Sequence, residues 1–191
     1  MLILASGSPR RAELLRRANM SFEVRVSPAE EPEHRPELIP TELWPACLAY
    51  MKAAAVQNTL RPSERGAIIL AADTIVVHNH RILNKARDRR HARQILASLS
   101  GKTHDVITGI CLMRGKDVRL SRAIATCRFR KLSPARLTAY LDTNLWKDKA
   151  GAYGIQDDHD PFVTLVAGDI TTVIGLPVAL VQSELASFPK E

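Results

Sequence analysis

Cysteines, aromatic residues and long apolar runs are all scarce in this chain, and each scarcity removes a class of protein. The three cysteines, Cys47, Cys111 and Cys127, are odd in number, far apart and without any CxxC pairing. That excludes a secreted disulfide framework and a structural zinc site, and leaves them as small buried hydrophobes. Aromatics make up 5% of the residues and are scattered, so there is no stacking platform of the kind single-stranded nucleic acid requires. No apolar run approaches the length of a membrane span, and Met1 to Ala5, ahead of a Ser/Gly/Pro loop, is too short for a signal-peptide core. A cytoplasmic protein with no membrane partner is expected. P-loop, GxGxxG and GxSxG patterns are absent, and the six histidines show no HExxH spacing; the common kinase, dehydrogenase, hydrolase and zincin readings go with them. Repeats, heptads and low-complexity tracts are missing too, so a single domain over residues 1–191 is expected.

What is present is a basic chain with enough apolar residues for a core. A formal charge of +7 attracts polyanions, and 46% hydrophobic residues in 191 suffice for a core without staples. With so few aromatics, the charge points to nucleotides or phosphate-rich ligands, with no stable nucleic-acid complex expected.

The pattern alternates strands and helices. Leu2 to Ala5 reads as a strand, followed by a loop at Ser6-Gly7-Ser8-Pro9 and a helix carrying Leu14, Leu15 and Ala18, with Ser8 as N-cap and Pro9 as first helical residue. Ser27 to Pro40 reads as a loop. Pro45 to Val56 reads as a helix, provided Pro45 falls in its first turn. Ala67 to Val77 suits a buried strand. Asp88 caps a helix ending at Gly101, and Val106 to Met113 with Val118 to Phe129 form a hairpin. Ser133-Pro134 opens another helix. Trp146 to Pro161 reads as irregular, Phe162 to Val173 as a strand interrupted at Gly168-Asp169, and Pro177 to Phe188 as a closing helix.

Two places invite chemistry. The loop Ser6 to Pro9 feeds a helix N-terminus, whose free N–H groups and positive dipole end form an anion site. Arg10 and Arg11 in that first turn oppose the dipole, a conflict an anion would relieve; an ordinary capped helix with surface arginines fits the same residues. Asp73 is a lone carboxylate in an apolar strand, costly to bury unless paired, bound to a metal or set at a wet cleft; satisfaction by backbone N–H groups or a nearby lysine is the alternative. Lys52 on an alanine-rich helix, Lys85 and Lys149 each fit a solvated lysine as well as a site lysine. Glu31 and Asp73, as oxygen donors, would suit Mg²⁺.

Taken in order, Ala5-Ser6-Gly7-Ser8-Pro9-Arg10-Arg11, Ala72-Asp73-Thr74, Leu99-Ser100-Gly101, Asp148 to Gln156 and Gly175-Leu176-Pro177 resemble the Maf family of nucleotide pyrophosphatases, across nearly the whole chain. The resemblance implies an elongated α/β fold with a central mixed sheet, flanking helices and a cleft between two lobes, shared in outline with inosine-triphosphate pyrophosphatases. It implies hydrolysis of a nucleoside triphosphate to the monophosphate and pyrophosphate with Mg²⁺ or Mn²⁺, and is compatible with a homodimer. Asp73, Lys52 and Lys85 match the family's catalytic positions, and Glu31 with Asp73 its metal-holding carboxylates. Ser6, Ser8, Arg10, Arg11, Thr74 and Gln156 match its substrate positions. Arg10, Thr74 and Gln156 look like the branch that cleaves dTTP and UTP, including modified pyrimidine nucleotides, rather than the 7-methyl-GTP branch. Met51 and Ala86 stand where the family often has Glu and Pro.

Overall fold

The computed structural model describes residues 1–156 and 162–189. In chain order the elements are β1 (Leu2–Leu4), α1 (Pro9–Arg17), β2 (Glu23–Val24), α2 (Trp44–Gln57), a 3-10 turn (Pro62–Glu64), β3 (Ile68–His78), β4 (Arg81–Leu83), α3 (Arg89–Leu99), β5 (Thr103–Arg114), β6 (Asp117–Phe129), α4 (Pro134–Asp142), β7 (Val163–Ala167), α5 (Ile170–Ile174) and α6 (Val178–Ala186). The strands hydrogen-bond in the order β2-β1-β3-β5-β6-β7, with β4 also on β3. The sheet is mixed: β1 pairs parallel with β2 and β3, whereas β3–β4 and β6–β7 are antiparallel. None of the described helices is long and apolar enough to cross a membrane.

The chain forms two compact units. One comprises Met1–Asp73, Thr108–Ala123 and Gly175–Glu191; the other comprises Thr74–Ile107 and Ile124–Ile174.

In the first unit the apolar residues of β1 and β3 form one wall of a core with Ala49, Ala53 and Val56 of α2, joined by Cys111 and Met113. The helix positions fall at i, i+4 and i+7, the repeat of a single helical face. Small alanines there let the helix lie close to the sheet. Gly109 marks the tightest approach, since a Cβ there would come within 2.1 Å of the Ala46 nitrogen and 2.4 Å of the Pro45 carbonyl carbon. Pro45 occupies the first turn of α2, where its missing N–H costs nothing. Nearby, Glu64 is buried and accepts from both arms of the Arg25 guanidinium at 2.8 and 3.2 Å, and from the Arg61 N–H and side chain at 2.9 Å each. Those charge-assisted bonds hold its carboxyl well below the usual range.

The second unit packs α3 and α4 with Phe129, Tyr140, Trp146, Tyr153 and Phe162 into its own core. Asp88 accepts the His91 N–H at 2.7 Å and Ser133 the Arg136 N–H at 3.2 Å, so both caps read from sequence are formed. The turn at Asn79-His80 has positive φ at both residues, 48° and 61°, the backbone of a two-residue I′ hairpin that joins β3 to β4 with His78 opposite Arg81. One expectation changes. The strand expected over Phe162 to Val173 ends at Ala167, and residues 170–174 are helical, opened by the Asp169 carboxylate accepting the Thr171 N–H at 2.6 Å. Of the stretch read as irregular from Trp146 to Pro161, residues 157–161 lie outside the described residues.

His104 sits in the aromatic part of this core, 3% exposed, with Nε2 2.5 Å from the Tyr153 hydroxyl. Among the described residues its Nδ1 has no hydrogen-bond partner. Burial, aided by His78, pulls its pKa from 6.5 down to about 4. A base whose folded pKa lies below its unfolded one favours the unfolded chain when protonated. Stability is therefore intact above pH 6.5 and is lost as pH falls toward 4, by about 3 kcal/mol from this group. Replacing His104 with Phe should flatten the fall in Tm over that window, measured by thermal melts at half-unit pH steps; an unaltered slope would contradict this role.

Candidate active site

The strand parity of β3 aims Asp73 at α2. Side chains alternate faces along a strand, so Asp73 shares the face of Ile69 and Ala71, which pack against α2. Lys52 lies beside the buried face of that helix, and its Nζ donates to Asp73 Oδ1 at 2.6 Å. Glu31, from the long loop after β2, places Oε1 2.8 Å from the same nitrogen. The Lys52 and Asp73 side chains are only 12% and 13% exposed, while Glu31 is 52% exposed. The inner pair is thus shielded and the outer carboxylate faces water. Burial raises the Asp73 pKa; Lys52 and Arg11 oppose the shift and Glu31 adds to it.

The loop Ser6 to Pro9 leaves the end of β1 and turns into α1. Ser6 is buried, and its Oγ accepts the Ser8 N–H at 3.2 Å and an Arg11 Nη1–H at 3.1 Å. The expected N-cap at Ser8 and first helical residue at Pro9 are both found. Ser8 occupies the N-cap position with extended backbone but makes no side-chain cap bond; the hydroxyl that bonds this turn belongs to Ser6, two residues earlier. The Ser8 side chain thus takes no N–H of the first helical turn, and the positive end of the helix dipole suits an anion there. Arg11 is held by a second bond, Nε donating to the Gly175 carbonyl at 2.8 Å. Its pKa is lowered by burial, against which the charges of Asp73 and Glu31 favour the guanidinium.

The first unit thus gathers Ser6, Ser8, Arg11, Glu31, Lys52 and Asp73. Arg10 is also there, exposed on α1. Thr74, Lys85 and Gln156 belong to the second unit. In that unit Lys85 is exposed and bridges to Ala150, and the Gly151 N–H donates to the Leu83 carbonyl at 3.2 Å. These bonds fasten the start of the Asp148 to Gln156 block beside the Lys85 segment. Gly151 has φ +70°, and a Cβ there would press on Val76 at 3.1 Å, so glycine fits the position with the least strain. Gln156 lies exposed in a turn.

Sequence reasoning missed the Gly175 carbonyl as the arginine's anchor. Its only signal was the Gly175-Leu176-Pro177 block, whose role 164 residues from Arg11 no local pattern announces.

Charge balance tests whether a divalent metal fits. Asp73 and Glu31 offset Lys52 and Arg11, leaving the group near neutrality, so an incoming triphosphate must bring its own countercharge. Two carboxylates that meet at one ammonium are a hard-oxygen pair already drawn to a cation. Among the described residues no group of three or more His, Cys, Asp or Glu could hold a metal ion, so the donors would be the two carboxylates of Asp73 and Glu31, with water and phosphate supplying the rest. That is the usual habit of Mg²⁺.

The model of the family described as Maf-like protein matches residues 1–188. The dTTP/UTP pyrophosphatase of Bacillus cytotoxicus is 43% identical over 190 residues, covering 97% of this chain and 94% of the relative. That of Salinibacter ruber is 44% identical over 191 residues, covering 98% and 91%. That of Pyrococcus abyssi is 42% identical over 181 residues, covering 95% and 92%. A solved structure of a nucleoside-triphosphatase / dITP/XTP pyrophosphatase from Mycobacterium abscessus aligns with TM-score 0.45 at 14% identity, covering 97% of this chain and 92% of that one.

Proposed function

The chain belongs to the Maf-like family, and from that premise we propose that it is a pyrophosphatase of dTTP and UTP, hydrolysing them at the α-phosphorus to the monophosphate and pyrophosphate. The observation that carries this reading is the meeting of Asp73 and Glu31 at Lys52, in the same unit as the Ser6 to Arg11 anion loop.

The triphosphate lies at the loop from Ser6 to Pro9, against the positive end of α1. Lys52 exchanges its carboxylate contacts for phosphate oxygens, and the Arg11 guanidinium, anchored on Ser6 and Gly175, adds a second positive charge. Glu31 and Asp73 would hold Mg²⁺ or Mn²⁺, which would supply countercharge to the phosphate oxygens and the pyrophosphate leaving group. The Asp73 carboxylate takes a proton from water as its oxygen attacks in line. Burial makes Asp73 a stronger base than a solvated aspartate, while the charges of Lys52 and Arg11 favour its ionised form. Catalysis is otherwise positioning and charge stabilisation, as expected for phosphorus transfer.

Attack at the α-phosphorus has a measurable signature. Cleavage of UTP in ¹⁸O-labelled water should place the label in UMP, leave pyrophosphate unlabelled and yield no UDP. Mass spectrometry of the products checks it, and orthophosphate with UDP, or label in pyrophosphate, would overturn the reading.

A further inference from the structure

The loop that carries Glu31 has no regular structure from residue 25 to residue 35, yet Glu31 must sit within ångströms of Lys52. Its first residues are fastened at successive points. The Arg25 N–H donates to the Leu4 carbonyl at 3.0 Å, at the end of β1. The Arg25 guanidinium forks onto buried Glu64. Val26 lies where a methyl on Gly7 would meet it at 3.5 Å, against the anion loop. Ser27 then makes the contact that matters most. Its hydroxyl donates to the backbone carbonyl of Lys52 at 3.0 Å and accepts the Ala29 N–H at 3.2 Å.

A helix carbonyl can accept a second hydrogen bond through its other lone pair, so this bond costs α2 nothing and ties the loop to the residue that Glu31 reaches with its carboxylate. Lys52 is therefore gripped at both ends, by Ser27 at its main chain and by Glu31 and Asp73 at its ammonium. The Ala29 bond turns the chain just after Ser27, four residues before Glu31. Without the hydroxyl, a half-exposed carboxylate on an irregular loop would sample many positions, and ordering it would cost conformational entropy at each binding event.

We infer that Ser27 is a positioning residue, whose hydroxyl bridges the Lys52 carbonyl and the Ala29 N–H and so holds Glu31 in place to share a divalent cation with Asp73. The inference rests on the proposed pyrophosphatase reading and goes beyond it by assigning a role to a residue outside the site.

The test titrates Mn²⁺ by electron paramagnetic resonance into the whole protein with α,β-imido-UTP, which resists cleavage. Ser27→Ala should weaken Mn²⁺ binding about tenfold, the scale on which residues supporting a metal ligand act, with Tm unchanged. Ser27→Thr, which keeps the hydroxyl, should retain wild-type affinity. In a Glu31→Gln background, adding Ser27→Ala should have little further effect, because the two changes act through one carboxylate. Equal Mn²⁺ affinity in wild type and Ser27→Ala, or equal loss in the alanine and threonine variants, overturns the inference while UTP cleavage by the wild type stands. A wild type that neither binds Mn²⁺ with the analogue nor cleaves UTP overturns the pyrophosphatase reading itself.

Discussion

Asp73→Asn should lower kcat for UTP by at least about a hundredfold, the scale of a lost general base, while the protein stays folded. The substitution preserves volume and one oxygen but removes the charge that meets the Lys52 ammonium at 2.6 Å. Lys52 retains Glu31 at 2.8 Å, so the buried ammonium is not stranded and the fold survives, which circular dichroism and the melting curve check. A folded variant with near-normal turnover would remove Asp73 from the chemistry. The pH profile supplies a second reading of the same group. Burial holds the Asp73 pKa above its ordinary 3.8, with Lys52 and Arg11 pulling it back. The acid limb of kcat/KM should therefore lie above the range of a solvated aspartate, with activity lost as pH falls through it. Removing the Lys52 charge should move that limb to higher pH.

Much of this architecture was legible because its determinants are local. Asp88 and Ser133 announce helix starts through side-chain oxygens three residues from the N–H groups they bind, and both bonds form. Asp73 stood out because a charge in Ala71-Ala72-Asp73-Thr74-Ile75 conflicts with burial. Ser8-Pro9 marked the helix start correctly, but the hydroxyl that bonds the turn is that of Ser6. Ile170 to Ile174 misled, since β-branched residues favour strands and outweighed the Asp169 side chain that opens a helix there. The partners of Asp73 were not readable from residue pattern at all. Lys52 is 21 residues away, and on an alanine helix it differs in no local respect from a solvated lysine. Residue type made Lys52 and Glu31 two candidates among several, and only the family resemblance favoured them over the solvated reading. Even that gave no hint of Ser27 and marked Gly175 without its role, since both contributions pass through a backbone carbonyl.

UTP and dTTP should be cleaved with clearly higher kcat/KM than CTP, ATP or GTP. The groups proposed to read the base are Arg10, Thr74 and Gln156. Uracil and thymine present O2 and O4 acceptors on either side of an N3–H donor, which suits a donor-rich guanidinium and an amide able both to give and to accept. Cytosine turns the N3 donor into an acceptor and O4 into an amino donor, so at least one partner loses its bond. If that partner is dehydrated on binding, the loss is about 1–3 kcal/mol, or roughly five- to 150-fold in kcat/KM. Exposure decides where in this range the enzyme falls. Arg10 and Gln156 are both exposed, and a group that keeps its water can replace a lost bond to the base. Selectivity near the lower end therefore means that these side chains stay hydrated over the bound base, and selectivity near the upper end means that binding strips them. Exchanging Arg10 for Trp together with Thr74 for Gln should weaken the preference for UTP and favour a larger, methylated purine. Competition assays with UTP and CTP at equal concentration give the ratio directly. A ratio of one in the unmutated protein would show that Arg10, Thr74 and Gln156 do not read the base.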